Sequence, residues 1–138
     1  MTGAASFAVG DVVATGAFEI DRERLGHYAG ASGDFNPIHY RDDVATSVGL
    51  PGVLAHGMLT MGLAIQPVVD RFGVAAITDY QVRFTKPVPV PPQGGVTLDV
   101  EARIARIDEA AGTARVDLAV RLGDDSVLGR AQVLVRLP

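Results

Sequence analysis

Two side chains that can exchange protons lie five positions apart in the segment GDFNPIH: Asp34 and His39. A carboxylate and an imidazole beside one pocket can move a proton between a substrate and a water molecule. The same spacing also suits an aspartate that caps a turn and a histidine that bonds to backbone. From the residues alone, both interpretations stay open.

A second candidate element is the dipeptide His56-Gly57, which opens the most apolar part of the chain. A helix N-terminus presents free N–H groups and the positive end of the helix dipole, and glycine lets a carbonyl group come close. Such a donor would stabilise the enolate formed when a thioester loses an α-proton. A glycine that serves only helix packing fits the sequence equally well.

Two further polar residues are candidate substrate contacts. Asn36 can tie its loop to backbone groups or support a catalytic partner. Thr60 lies in the predicted helix, where its hydroxyl group is expected to be satisfied locally. The apolar residues around it are expected in the core rather than in a substrate channel: Met58, Leu59, Met61 and Leu63.

Other chemistries find less support in the sequence. Asp34, His39 and His56 contain the right atoms for a facial triad, but their spacing matches no metal signature. Ser32 and Ser47 lack the sequence context of a hydrolase nucleophile. The chain has no cysteine, which excludes disulfides and thiolate nucleophiles. No metal is therefore expected.

Composition describes an ordinary globular protein of 138 residues, for which a single domain is expected. The 12 Lys and Arg residues against 16 Asp and Glu residues argue against nucleic acid as a partner. Met1–Gly10 lacks the charge and hydrophobicity of a signal peptide. Met58–Val69 is too short to span a bilayer, so no membrane is expected and a cytoplasmic location is predicted.

The first part of the chain should contain short elements around a loop. Met1–Ala5 is expected to be loose, and a turn at Gly10-Asp11 should lead into a first short strand within Ser6–Thr15. A second strand is predicted at Ala17–Ile20. A helix should follow at Asp21–Ser32, with Asp21 as N-cap. Pro37 and the neighbouring Asn and Asp residues exclude an ordinary helix for Gly33–Asp42.

The middle of the chain is predicted to contain two more helices. Asp42–Val48 should form a short one, capped by Asp42 or Asp43. Val53–Phe72 should form a long helix, and its nearly continuous apolar character predicts burial on all sides. Pro67 should kink or end that helix.

After Gly73 the hydrophobic period changes to two, which is typical of strands. Ile77–Phe84 is predicted as a strand, and the proline-rich Lys86–Pro92 as an edge or connection. Three alternating runs with short turns at Asp108–Gly112 and Gly123–Ser126 should form an antiparallel meander: Val96–Ile104, Ala114–Leu122 and Val127–Leu137. The predicted fold class is α+β, a curved antiparallel sheet packed on one long helix.

These segments also resemble a known family. YAGASGDFNPIH and AHGMLTMG are similar to the signature of MaoC-like hydratases and dehydratases, also called the hydratase 2 motif. Val82–Pro92, VRFTKPVPVPP, resembles a later strand of that family. The compact length and this strand are most similar to the catalytic beta subunit of mycobacterial-type (3R)-hydroxyacyl-ACP dehydratases. Many members have Gly-Asp where this chain reads Pro91-Pro92-Gln93-Gly94-Gly95, a difference that concerns the local loop and the docking of the thioester carrier.

The resemblance implies a hot-dog fold, in which a sheet wraps a central helix, and dimers with an acyl-thioester tunnel. It implies reversible syn addition of water to a trans-2-enoyl-CoA or -ACP, without metal or redox cofactor. Asp34 and His39 would be the catalytic pair, Asn36 their support and the Gly57 amide the donor to the thioester carbonyl. The dimer would be a homodimer or a heterodimer with a second hot-dog subunit.

Two alternatives remain at this stage. A hot-dog thioesterase also places a carboxylate near a helix N-terminus, although the D-x-N-P-x-H loop favours hydration. A non-catalytic acyl-binding subunit of a heterodimer would be expected to lack the Asp–His pair. Three basic residues either contact a phosphopantetheine or an acidic carrier or are ordinary solvated charges: Arg41, Arg83 and Lys86.

Overall fold

The computed structural model describes residues 6–138, so the predicted loose segment Met1–Ala5 lies outside the described residues. The helices are α1 (Arg22–Ser32), α2 (Asp42–Ser47) and α3 (Gly57–Phe72). Short 3₁₀ turns occupy Pro37–His39 and Val74–Ala76. The strands are β1 (Val12–Asp21), β2 (Ile77–Phe84), β3 (Gly95–Asp108), β4 (Thr113–Leu122), β5 (Asp125–Ser126) and β6 (Leu128–Arg136).

The strands form one antiparallel sheet in the order β1-β3-β4-β6-β2, with the two-residue β5 beside β4. The predicted meander of β3, β4 and β6 is confirmed, as is the strand β2. Alternation explains the sheet's inner face: the buried side chains of β4 are Ala114, Val116, Leu118 and Val120. The α+β class predicted from the periodicities is therefore confirmed.

Helix α3 packs only one face against this sheet, and both its start and its burial differ from the predictions. The helix begins at Gly57 rather than at Val53, and Met58 is 59% exposed rather than in the core. The sheet covers only one side of α3, where the buried residues are Leu59, Thr60, Ala64, Pro67 and Val68. Within residues 6–138, no helix has the length and apolar character needed to cross a bilayer.

Val53–His56 is extended because its backbone pairs with the proline-rich connection. The Ala55 N–H donates to the Val88 carbonyl at 2.9 Å, and the Val90 N–H donates to the Val53 carbonyl at 3.0 Å. These hydrogen bonds compete with helix formation and stop α3 from starting earlier. The prediction that Lys86–Pro92 serves as a connection is confirmed.

The N-terminal half holds one long strand where two were predicted. The two predicted strands, within Ser6–Thr15 and at Ala17–Ile20, are parts of β1, which runs without interruption through Gly16. A Cβ atom at Gly16 would lie 2.9 Å from both the Phe18 ring and Cγ of Pro67. Gly16 therefore allows close packing of β1 on α3, and Pro67, which does not end the helix, contributes its ring to this contact.

Helix α1 matches its prediction at both ends. The Asp21 side chain accepts from the Arg24 N–H at 2.8 Å, as an N-cap should. Gly33 ends the helix with φ 78°, in the left-handed region. The chain then turns into the segment that holds Asp34 and His39.

Helix α2 is present, but its predicted cap is wrong: the N-cap is Arg41. The Asp42 carboxylate instead joins three parts of the chain. It accepts from the Arg22 guanidinium of α1 at 2.9 and 3.2 Å, and from the Val53 N–H at 3.0 Å. These charge-assisted bonds hold α1 and α2 to the segment before α3.

Replacing Asp42 with Asn should lower the midpoint of thermal unfolding near pH 7. The hydrogen bond from Arg22, with that from the Val53 N–H, lowers the pKa of Asp42 from its usual value of 3.8. A lowered folded-state pKa contributes stability above pH 3.8 that is lost as pH falls through the folded value. Thermal scans should therefore show the wild-type and Asp42→Asn midpoints converging towards pH 2. Asp124→Asn, in the exposed β4–β5 turn, is the matched control, and a constant difference across pH would contradict the expectation.

Candidate active site

The Asp34 loop is organised by its own side chains. The Asp34 N–H donates to Ser32 Oγ at 3.1 Å, and the Asn36 N–H donates to Asp34 Oδ1 at 3.2 Å. The latter is an Asx-type turn, in which a side chain replaces a backbone acceptor. The Asp34 side chain remains half exposed, with a relative accessibility of 50%. The carboxylate is therefore oriented by the loop and open to a ligand.

His39 is held by the 3₁₀ turn Pro37–His39, which the Asn36 side chain caps by accepting from the Ile38 N–H at 3.2 Å. The His39 ring contacts the Leu54 carbonyl through Nδ1 at 2.7 Å. Because a carbonyl oxygen only accepts, Nδ1 must carry the proton. In the neutral ring Nε2 then has a free lone pair, which suits a general base.

Asp34 and His39 face each other, with Asp34 Oδ2 lying 3.9 Å from His39 Nε2. That distance is too long for a direct hydrogen bond. It leaves room for one oxygen atom at about 2.8 Å from both groups, the usual length of a hydrogen bond to oxygen. A water molecule or a substrate hydroxyl can therefore contact both groups at once.

His56 lies behind this pair and is 1% exposed. Its ring stacks on His39 with centroids 3.8 Å apart and planes at 22°, and it meets Tyr28 edge-on at 4.7 Å. Nε2 contacts the Asp34 main-chain carbonyl at 3.2 Å. Desolvation by burial, aided by the His39 charge, lowers the pKa of His56 below its usual value, against the opposing effect of Asp34.

Asp34, His39 and His56 also offer possible ligand atoms within 4.8 Å of one another. One nitrogen of each ring already bonds to a main-chain carbonyl. The nearly parallel stacked rings keep their in-plane lone pairs in separate layers, whereas metal ligation needs them to converge. The arrangement favours proton transfer over metal binding.

A groove of about 290 Å³ opens beside the start of α3. Gly57 and Thr60 line it, and Gly57 directly follows His56, whose ring stacks on His39. The other lining residues come mainly from the segment after β2 and from the start of β6: Ala55, Phe84, Thr85, Lys86, Pro87, Val88, Val127 and Leu128. This groove is mostly apolar, as an acyl or pantetheine chain requires.

The structure brings some candidate residues together and leaves others apart. Asp34, His39 and His56 form one cluster, while the Asn36 side chain bonds to its own turn. Arg41 pairs with Asp43, and Lys86 pairs with Asp125 at 2.8 Å. These carboxylates partly neutralise two of the three basic residues considered for a carrier.

Two contributors were missed from the sequence. Phe84 lines the groove with a side chain that is 55% exposed, and a Cβ atom on Gly57 would lie 3.1 Å from its ring. Its only sequence signal is an aromatic residue just before the proline-rich connection. The Leu54 carbonyl carries no signal at all, since every residue has one.

Comparisons with known proteins identify the family of this chain. A family model described as MaoC like domain matches residues 6–121. The chain is 40% identical over 73 residues to 3-hydroxyacyl-thioester dehydratase X of Mycobacterium tuberculosis, covering 53% of this chain and 25% of that protein. Among solved structures, a MaoC-like dehydratase superposes with a TM-score of 0.91 at 34% identity, covering 96% of this chain and 41% of the other.

The (R)-hydratase from A. caviae superposes with a TM-score of 0.84 at 22% identity, over 98% of this chain and 100% of that one. At that identity the likeness shows the fold, and the hot-dog prediction is confirmed. The chain spans about a quarter of the length of the M. tuberculosis relative and less than half of the solved MaoC-like dehydratase chain. Since the family model matches most of its length, the chain belongs to the MaoC-like domain family.

Proposed function

We propose that the protein is an (R)-specific enoyl-thioester hydratase and (3R)-hydroxyacyl-thioester dehydratase. It adds water reversibly, in the syn sense, to a trans-2-enoyl group on the pantetheine thioester that CoA and ACP share. The observation that carries the proposal is the 3.9 Å gap between Asp34 Oδ2 and His39 Nε2. Membership of a family whose relatives are named dehydratase and (R)-hydratase supports the same reaction.

In this mechanism the pair carries one transferable proton. For dehydration, neutral His39 takes the α-proton through Nε2, and protonated Asp34 gives its proton to the departing β-hydroxyl, which leaves as water. For hydration, the Asp34 carboxylate takes a proton from water as the oxygen bonds to C3, and the His39 imidazolium returns a proton to C2. The Nδ1–H bond to Leu54 keeps Nε2 directed at the substrate in both directions.

The thioester oxygen gains negative charge in the enolate-like transition state. Gly57 is the first residue of α3, where a main-chain N–H is free of intrahelical partners and the helix dipole is positive. We assign the carbonyl donor to this amide, with Thr60 and Phe84 lining the path of the chain. Asn36 supports the pair by capping the turn that carries His39.

Asp34→Asn and His39→Ala should each reduce hydration of crotonyl-CoA by at least roughly 100-fold, the usual contribution of general acid–base catalysis. A spectrophotometric assay of enoyl loss, with chiral analysis of the 3-hydroxyacyl product, measures the effect. Circular dichroism of Asp34→Asn should show an unchanged fold, since the Asp34 side chain is half exposed. Asp43→Asn, nearby in α2, is the matched control.

The same assay separates the competing functions. Release of free thiol from acyl-CoA by the wild type would indicate a thioesterase. Turnover only after mixing with a second hot-dog subunit, at the same rate for the wild-type and Asp34→Asn chains, would indicate a non-catalytic acyl-binding subunit. Near-wild-type rates in either variant of the pair would reject the assignment of Asp34 and His39.

Gly57→Ala should lower kcat/KM for crotonyl-CoA by roughly 10- to 100-fold, because the added methyl group pushes against the Phe84 ring and disturbs the approach to the Gly57 amide. Gly62→Ala is the matched control in the same helix, since its Cβ atom would meet nothing within 4 Å. Phe84→Leu in the Gly57→Ala background should recover part of the loss. Equal rates in Gly57→Ala and Gly62→Ala would contradict the assignment of the donor.

We also propose that the chain acts as a single hot-dog domain within a dimer, formed by two copies or with a second hot-dog subunit. Two features support this: β2 lies at an end of the sheet, and large apolar side chains are exposed near the groove, among them Phe84 and Met58. Light scattering after size exclusion should give twice the mass of the monomer, either alone or after mixing with that subunit. A monomer under both conditions would oppose the proposal.

The predicted cytoplasmic location remains a prediction.

A further inference from the structure

His56 contacts both members of the acid–base pair from behind. It is 1% exposed, so the His39 ring and the Asp34 loop cover it from the solvent. A side chain in this place does not reach a substrate in the groove. Its influence on the reaction must pass through the groups that it touches.

The first contact restrains the Asp34 loop. His56 Nε2 lies 3.2 Å from the Asp34 carbonyl oxygen, and a carbonyl can only accept, so Nε2 carries the proton. The Asp34 carboxylate accepts from the Asn36 N–H, which completes the turn. The Nε2–H group therefore anchors the backbone from which the catalytic carboxylate projects.

The second contact restrains the His39 ring. The 3.8 Å stacking distance places the flat face of His56 against His39, while the Leu54 carbonyl holds one edge. An edge contact alone leaves the ring free to tilt, and a face contact removes that freedom. Together they determine where His39 Nε2 points.

The charge state of His56 suits a supporting role. With Nε2 protonated, Nδ1 is an acceptor, and it finds no hydrogen-bond partner among residues 6–138. Burial and the nearby His39 charge both lower the pKa of His56. A neutral ring can remain stacked on His39 as that residue gains and loses a proton, whereas a second buried imidazolium at 3.8 Å would oppose it.

We propose that His56 is a positioning residue of the hydratase reaction, which fixes the Asp34 loop through its Nε2–H and the His39 imidazole through its ring face. This inference rests on the proposed function. It assigns to His56 a role that differs from the direct substrate contact expected from the sequence. It predicts a loss in kcat with little change in KM, because the groups that hold the substrate remain.

Two variants separate the two contacts. His56→Gln keeps an N–H donor at nearly the same reach and removes the aromatic face, and His56→Phe keeps the face and removes the donor. His27→Gln is the matched control, because the His27 side chain is 79% exposed. We expect kcat with crotonyl-CoA to fall roughly 10- to 100-fold in both His56 variants, the effect of a misplacement near 1 Å, with KM within about threefold and the control unchanged.

Nuclear magnetic resonance provides a local readout that does not depend on turnover. In His56→Gln, the His39 ring should be free to tilt out of its hydrogen bond with the Leu54 carbonyl, so its ¹⁵N shifts should lose the fixed Nδ1–H pattern of the wild type and become partly averaged between tautomers. In His56→Phe, that pattern should persist, while the Asn36 amide exchanges faster with solvent because the Asp34 turn has lost its anchor. His27→Gln should keep both wild-type signals.

Several results would overturn the proposal. A raised KM with unchanged kcat would indicate a substrate contact, and unchanged local signals in both folded variants would show that His56 positions neither group. If one variant fails to fold by circular dichroism, the other still tests its own contact. If the wild type shows no hydratase activity but the local signals change as expected, the proposed function fails while the positioning role of His56 remains.

Discussion

The hydrogen bond from His39 Nδ1 to the Leu54 carbonyl, 2.7 Å long, is the interaction on which the site depends. It joins a turn after α1 to the residues that precede α3. It also selects the imidazole tautomer, because the carbonyl cannot donate. Without it the ring would have no preferred nitrogen towards Asp34, and the base would lose its direction.

The position and direction of that hydrogen bond are fixed because the segment around Leu54 is itself held on both sides. The Leu54 N–H donates to the Ile38 carbonyl at 3.2 Å, so the 3₁₀ turn and the Val53–His56 segment are paired in both directions. On its other side the segment pairs with Val88 and Val90 of the proline-rich connection, both of which are buried. The packed sheet and α3 thus transmit the rigidity of the core to the partly exposed loop that carries the proposed catalytic pair.

The arrangement also fits the proposal that a half-exposed carboxylate and a shielded imidazole carry one proton between them. Asp34 lies on a loop whose backbone is held by Ser32, Asn36 and His56, while its carboxylate faces outwards. His39 lies between Leu54 and the His56 ring. The 3.9 Å gap keeps the two groups close enough to act on one oxygen and too far apart to bond directly to each other.

Local patterns predicted most of the elements, and the errors share one cause. The helix α1, its Asp21 cap and the alternating strands follow from interactions between near neighbours in sequence. The start of α3, the continuity of β1 through Gly16 and the use of Asp42 as a link to Arg22 each depend on residues far away in sequence. An apolar run cannot show that its first four residues will pair with Val88 and Val90 instead of turning into a helix.

The sequence by itself determined which residue types could do chemistry: the Asp34 and His39 spacing, the glycine at the start of α3 and the family signature around them. Only the tertiary structure decided that His56 stacks beneath His39, that Leu54 selects the tautomer and that Phe84 borders the groove. The reason is physical: these contacts use a main-chain carbonyl, a ring face and an exposed aromatic side chain. Such features have no characteristic spacing in sequence and exist only once distant segments meet.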